Sequence, residues 1–438
     1  MQALRERSTH HRRRWLSPWL VVAVVVVVAA AGVAYVAAQG SKAPLACAGA
    51  SCSTGTGGSG GSGSGSGGRG GSSSTTPRTF TIASTTPAPD ATGIASNARL
   101  TVTFNSPVGH GGQTPTLSPS VPGAWHTASK DELVFTPSAP FVPYTKYTLT
   151  VPGGSGGLAS AAGTHLDATR TVTFTIADGS VLRLQQLLSE LGYLPVAYTG
   201  PAPPQRDLAT PQQGTFTWRW PGLPAALTGQ WAPGTEGAIT KGAVMMFETE
   251  NGIPVDGLAG PQVWSTLLHD FETHKANTQP VTYVLVTKVL PQHLTAWVNG
   301  TLKFRGILVN TGVPGANTVD GTFQVFEHVQ FSDMKGTDVT GTTYTDPHVP
   351  WASYFNGGDA LHGFPRTTYG WPQSNGCVEM RISTAGALWP YTPIGTVVTV
   401  QGPSTGTGSS QPAPPTTTTA PPTTTTAPPP TTTAPPAG

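Results

Sequence analysis

The longest uncharged apolar run, Trp19–Ala38, is dominated by Val and Ala and is long enough to span a bilayer core of about 30 Å. Arg5, Arg7, Arg12, Arg13 and Arg14 precede it, so residues 1–18 read as a basic cytoplasmic segment and 19–38 as a transmembrane anchor. Small residues at Val36-Ala37-Ala38 keep a cleaved signal peptide open as the alternative. Residues 39–77 are rich in Gly and Ser, the composition of a flexible tether. Between 78 and 177 the pattern becomes period two. Leu100–Phe104, Glu132–Phe135, Tyr147–Val151 and Thr171–Ile176 alternate as half-buried strands punctuated by Pro and Gly, which predicts a small β-sandwich. From 178 to 270 the spacing turns helical. Val181, Leu184, Leu187, Leu188 and Leu191 recur at threes and fours, with Gly192 as a stop, and a second run covers Ile239–Glu250.

Period two returns across 279–402. Tyr283–Lys288, Leu294–Val298, Leu302–Val309, Thr322–Phe326 and Gly395–Val400 read as strands, and Asn299-Gly300 is a hairpin signal between the second and third. Ser383–Trp389 reads as one or two helical turns capped by Ser383 or Thr384. Residues 403–438 alternate Pro and Thr runs and cannot bury a core, so they read as a disordered, extended tail. The fold class expected is therefore multidomain and mainly β, with two β-sandwiches, a small helical module, an N-terminal transmembrane helix and disordered linkers.

Charge changes the picture in one respect. Of 438 residues only 10% are charged and the net charge is +2, which argues against a nucleic-acid partner. There are three cysteines. Cys47 and Cys52 stand close enough to pair outside the cell, or to remain as thiols, and Cys377 is left alone.

Cys377 is where chemistry concentrates. It lies fifteen positions after His362 in LHGFPRTTYGWPQSNGCVEMR, and an imidazole can take a thiol's proton and create a nucleophilic thiolate. Gly376 leaves room for a substrate carbonyl near the main chain, where N–H groups can form an oxyanion hole. These residues predict acyl transfer through a thioester. Asp346, His348 and His362 lack the spacing of a metal site, so no metal and no cofactor is expected.

The segment HG-x-n-S-x-G-C-V-x-M followed by IGTVVTV resembles the active-site segment of the L,D-transpeptidases of bacterial cell walls, across Val281–Gln401. The resemblance implies a β-sandwich-like fold, Cys377 as nucleophile and His362 as base, oriented by a main-chain carbonyl near Gly363. Asp359 is an outside candidate for that orienting role. The family signature reads S-H-G-C-[VI]-R, and this chain has Asn375 and Glu379 in place of the second His and the Arg. By the same resemblance Tyr344 assists the oxyanion hole; Ser374 is read as shaping the loop or donating a hydrogen bond. Arg366 and Arg381 are candidates for a stem-peptide carboxylate, because guanidinium grips carboxylate in a fork, and Asn375 is a further candidate substrate contact.

Two other stretches carry resemblances. STTPAPDATGIASNARLTVTFNSPV with FTPSAPFVPYTKYTLTV resembles bacterial immunoglobulin-like wall modules. LQQLLSELGYLP with AVMMFETENGIPVDGLAGPQVWSTL resembles the two ends of a peptidoglycan-binding module, its middle interrupted by Ala202–Gly234. Together these imply a membrane-anchored enzyme in the cell-wall space that acts on peptidoglycan stem peptides and glycan, releases a terminal D-amino acid and forms a cross-link. A non-catalytic wall scaffold, an L,D-carboxypeptidase and a cysteine endopeptidase stay open as alternatives. The helical module is read equally as a glycan binder or as a packing unit.

Overall fold

The computed structural model describes residues 79–402. The expected membrane segment, Cys47, Cys52 and the Pro/Thr-rich tail lie outside the described residues. Among those described, no helix is long and apolar enough to cross a membrane.

Eight strands come first: β1 (Ile82–Thr86), β2 (Ala91–Ile94), β3 (Leu100–Phe104), β4 (Thr116–Ser118), β5 (Gly123–Ser129), β6 (Glu132–Pro137), β7 (Lys146–Val151) and β8 (Arg170–Ile176). They form two four-stranded sheets, ordered β1-β3-β6-β5 and β2-β8-β7-β4. The alternation of β3, β7 and β8 turns Leu100, Val102, Phe104, Tyr147, Leu149, Phe174 and Ile176 into one core shared by both sheets. This is a β-sandwich whose inner faces are aliphatic and aromatic.

The next stretch contains α1 (Val181–Glu190), β9 (Val196–Thr199), β10 (Thr215–Trp218), α2 (Ala225–Thr228), α3 (Ala238–Asn251) and α4 (Pro261–Thr273). Ser180 caps α1 through its side chain, and Gly192 and Gly252 take positive φ just past α1 and α3, where only glycine escapes the Cβ penalty. The Ala202–Gly234 interruption is not an excursion. It supplies β10 to pair with β9, and Leu208, Ala209 and Leu227 to the core between the helices. That core also contains Tyr283 and Val397, so the helices pack on the following sheet as one body. Gly242 on α3 and Gly395 make this approach feasible: a Cβ on Gly395 would fall 2.3 Å from the Gly242 carbonyl oxygen.

The last part comprises β11 (Thr282–Thr287), β12 (His293–Val298), β13 (Thr301–Leu308), β14 (Gly321–Gln324), β15 (Glu327–Thr337), β16 (Thr343–Asn356), β17 (Asp359–Gly363), β18 (Val378–Met380), α5 (Ile382–Leu388) and β19 (Val397–Gln401). One sheet runs β13-β12-β11-β19-β14 and the other β15-β16-β17-β18. Val284, Val286, Leu294, Ala296, Val398 and Val400 from the first meet Phe355, Leu361, Val378 and Met380 from the second. Asn299 and Gly300 both have positive φ, the backbone of a type I′ turn joining β12 to β13. The expected cap of α5 is displaced. Arg381 holds the N-cap position without a side-chain bond, and Ser383 and Thr384 lie inside the first turn.

Candidate active site

Strands β17 and β18 pair in parallel, with Leu361 opposite Val378 and His362 opposite Glu379. Side chains alternate across a strand, so His362 and Glu379 share a face, and Cys377, two residues before Glu379, lies toward that face as well. Diagonal neighbours of this kind are about 7–8 Å apart, close enough for an imidazole and a thiol to meet after side-chain rotation. Both residues are 0% exposed.

The imidazole is oriented by its own strand. His362 Nδ1 lies 3.1 Å from the Gly363 carbonyl oxygen, which accepts, so Nδ1 carries the proton and Nε2 carries the lone pair. Nε2 is buried with no hydrogen-bond partner among the described residues. Burial pushes the His362 pKa below its ordinary value, against upward pulls from Glu379 and the Gly363 carbonyl, and Arg366 pushes it further down. Asp359, the outside candidate, is not bonded to the ring. Its carboxylate accepts from Asn356 Nδ2 at 3.2 Å and Val319 N at 3.5 Å, and burial raises it to about 6.

The thiol is also neutral at rest. Burial pushes Cys377 well above the ordinary thiol range; the Ala360 main chain opposes this, and Asp359 and Glu379 reinforce it. Its Sγ donates to the Gly358 carbonyl at 3.6 Å. The resting side chains are therefore thiol and imidazole, and any attack by this sulfur on an electrophile would need its proton removed in the same step.

The loop before Cys377 is held from several sides. Ser374 Oγ donates to the Cys377 carbonyl at 2.5 Å and accepts from Gly376 N at 3.3 Å. Gly376 has φ +124°, open to glycine, and its own N–H donates to Ser374 Oγ. Thr318 Oγ1 donates to the Gly376 carbonyl at 2.6 Å and accepts from Gly312 N at 2.9 Å. Buried Lys288 in turn donates to the Thr318 carbonyl and pairs with Asp320 at 2.9 Å.

Arg366 lies buried beside β18. Its Nε and Nη2 each reach a Glu379 carboxylate oxygen at 2.8 Å, and Nη2 also donates to the Gln373 carbonyl. The guanidinium of this candidate carboxylate contact is thus engaged by internal partners, with 1% of its side chain exposed. Glu379, a departure from the family signature, is thereby matched by a cation thirteen residues earlier. Phe364 lies between the two features, edge-on to His362 at 6.0 Å and under the Arg366 guanidinium at 4.7 Å. Arg381 is exposed and lies over the Tyr369 ring at 5.1 Å. Tyr344 stands opposite Gly336 in the β15–β16 arm, nine residues along β16 from Ser353, the partner of Leu361. Among the described residues no group of three or more His, Cys, Asp or Glu is placed to hold a metal ion.

Residues 282–400 match the L,D-transpeptidase catalytic domain family. Residues 75–176 match the bacterial Ig-like domain family. Every residue of the Cys377 loop and of β17 falls within the L,D-transpeptidase match. No curated protein matches the chain. Among solved structures it is similar to an L,D-transpeptidase from Mycobacterium smegmatis (13% identity, 74% of this chain, 99% of that one, TM-score 0.25). It is also similar to L,D-transpeptidase 3 from Mycobacterium tuberculosis (11%, 73% and 98%, TM-score 0.26). A third similarity is to the catalytic domain of an L,D-transpeptidase from E. faecium (25%, 27% and 96%, TM-score 0.25). The chain thus carries an L,D-transpeptidase domain and an Ig-like domain in one mainly β, multidomain architecture.

Proposed function

We propose that this protein cross-links peptidoglycan as an L,D-transpeptidase, with Cys377 as nucleophile and His362 as general base. The observation that carries the reading is the unpartnered Nε2 of His362, on the strand face toward which Cys377 lies, within the L,D-transpeptidase match. The Cys377 thiol gives its proton to His362 Nε2 as sulfur attacks the amide carbonyl before the terminal D-residue of a tetrapeptide stem. The C–N bond breaks, the departing D-amino acid takes the proton from His362, and a thioester remains. An amine of a neighbouring stem attacks the thioester; its proton passes through His362 to the released sulfur, and the new amide is the cross-link. No cofactor enters this scheme.

The uncharged run Trp19–Ala38 behind its arginines supports a single membrane anchor, with residues 39–77 as tether and the catalytic domain in the cell-wall space. The helical module, 178–270, serves as a packing platform for the catalytic sheet, supported by the core it shares with Tyr283 and Val397.

The test is intact-mass analysis of the protein incubated with disaccharide-tetrapeptide, beside Cys377→Ala. An adduct matching the stem less its terminal D-amino acid, seen only with Cys377 present, is expected. Its absence would sink the enzyme reading and favour a wall scaffold. Loss of the D-amino acid with no cross-link in the presence of an amine acceptor would point to water as acceptor, hence a carboxypeptidase.

A further inference from the structure

Polar groups in the loop ahead of the nucleophile are nearly all accounted for. Gln373 Nε2 donates to Asn310 Oδ1 and the Thr368 carbonyl, Ser374 Oγ is bonded twice, and the Gly376 carbonyl and N–H are each engaged. Asn375 is the contrast. It is 4% exposed, and its Oδ1 and Nδ2 are both buried with no hydrogen-bond partner among the described residues. Burying a carboxamide without partners costs free energy, and a leucine of similar volume would avoid that cost. Gln373 Oε1 is also buried without a partner among the described residues, but its Nε2 is bonded; Asn375 is the loop side chain with both polar atoms left over, beside His362, which has a proton to move.

We propose that the Asn375 carboxamide recognises the acyl donor, pairing with main-chain groups beside the scissile bond. A carboxamide presents an acceptor and a donor side by side, the complement of the N–H and C=O of one residue in an extended chain, which point to the same side. A terminal carboxylate fits less well, since it offers only acceptors and would leave Oδ1 against negative charge. Asn375 lies two residues before Cys377, so their Cα atoms are at most about 7 Å apart, and a group held by the carboxamide sits close to the thiol. Because a carboxamide does not titrate, this contact is independent of pH. The assignment rests on the transpeptidase reading and makes Asn375 a specificity-determining residue within it.

The experiment compares wild type with Asn375→Leu in the full-length protein, by three measurements. These are the rate of acyl-enzyme formation from disaccharide-tetrapeptide, the rate of Cys377 alkylation by iodoacetamide read by peptide mass, and the melting temperature. Acylation should slow about tenfold or more, with alkylation unchanged and the melting temperature equal or higher. Asn375→Ala, which cannot overpack the site, carries the same comparison if the leucine variant misfolds. Acylation within about twofold of wild type would overturn the inference, since a lost recognition bond costs more than that. So would alkylation falling in step with acylation, because the amide would then act on the thiol and not the substrate. Wild-type protein that forms no acyl-enzyme would remove the transpeptidase reading and this inference together.

Discussion

Arg366 and Glu379 meet in a two-pronged ion pair, 2.8 Å at each prong, with both side chains closed to solvent. The pair ties the loop after β17 to β18 and so fixes both strands that carry the site. Removing one partner strands a buried charge. Glu379→Gln should lower stability by about 3–5 kcal/mol, measured by denaturant unfolding. The double variant Arg366→Met/Glu379→Leu should cost far less, because no charge is left unpaired. A single variant as stable as wild type would show that the pair opens to water.

The pH dependence of acylation follows from a neutral resting pair. His362 is pushed below 6.5, so acylation should reach half its plateau at a pH below 6.5 as the imidazole loses its proton. Iodoacetamide alkylation of Cys377 should stay slow at neutral pH and climb only above pH 9.0, because burial disfavours the thiolate. Rapid alkylation at pH 6 would instead indicate a preformed thiolate–imidazolium pair.

Asp359 opposes stability at neutral pH. Its carboxyl titrates at about 6 in the folded protein against an ordinary 3.8, so the folded state binds the proton more tightly. The associated stability is full below pH 3.8 and is lost as pH rises through about 6. Asp359→Asn should therefore stabilise the protein at pH 8 by on the order of 2–3 kcal/mol, and little at pH 3.5. It should also speed Cys377 alkylation, since Asp359 is one of the charges that hold the thiol protonated. Thermal unfolding at the two pH values and alkylation at pH 8 check both parts.

Thr318 braces the Cys377 loop from a distant segment. Thr318→Val keeps the shape but strips the Gly376 carbonyl and Gly312 N–H of their shared partner. Stability should fall by about 1–3 kcal/mol, the cost of a buried unpaired polar group, and acylation should slow with it. A lowered melting temperature with an unchanged acylation rate would confine Thr318 to the fold.

Gly395→Ala tests the seam between the helices and the catalytic sheet. Its φ of +90° and the 2.3 Å approach to the Gly242 carbonyl leave no place for a methyl group. The left-handed backbone alone costs about 1–2 kcal/mol, and the clash adds to it. Limited proteolysis should show faster cutting near the α4–β11 junction, and a wild-type digestion rate would mean the seam adjusts freely.

Part of this architecture is legible in the chain, where one face of an element is more open than the other. The alternation of β3, β7, β8 and β12 marks buried against more open positions directly, whereas β11 is covered on both faces, by the helices at Tyr283 and by the second sheet at Val284 and Val286. The β15–β16 arm gives no such signal, since most of Glu327–Thr337 is exposed or half-exposed on both faces. Strands β17 and β18 fail for the opposite reason: every residue in them is buried, so there is no alternation to read. At the site, Cys377 and His362 stand out by residue type and spacing. The Arg366–Glu379 pair does not, because two charges thirteen positions apart look like surface residues until the fold closes on them. Thr318, 58 positions from Gly376, carries no local signature at all.

Full burial of Cys377 bears on how long the protein stays usable. Oxidants, like alkylating agents, react with exposed thiolates and climb from reversible sulfenic acid to irreversible acids. A thiol with no exposed surface, held protonated against the Gly358 carbonyl, offers them neither the charge nor the approach. On the proposed function, the same closure that keeps the thiol idle between substrates also keeps it from decay.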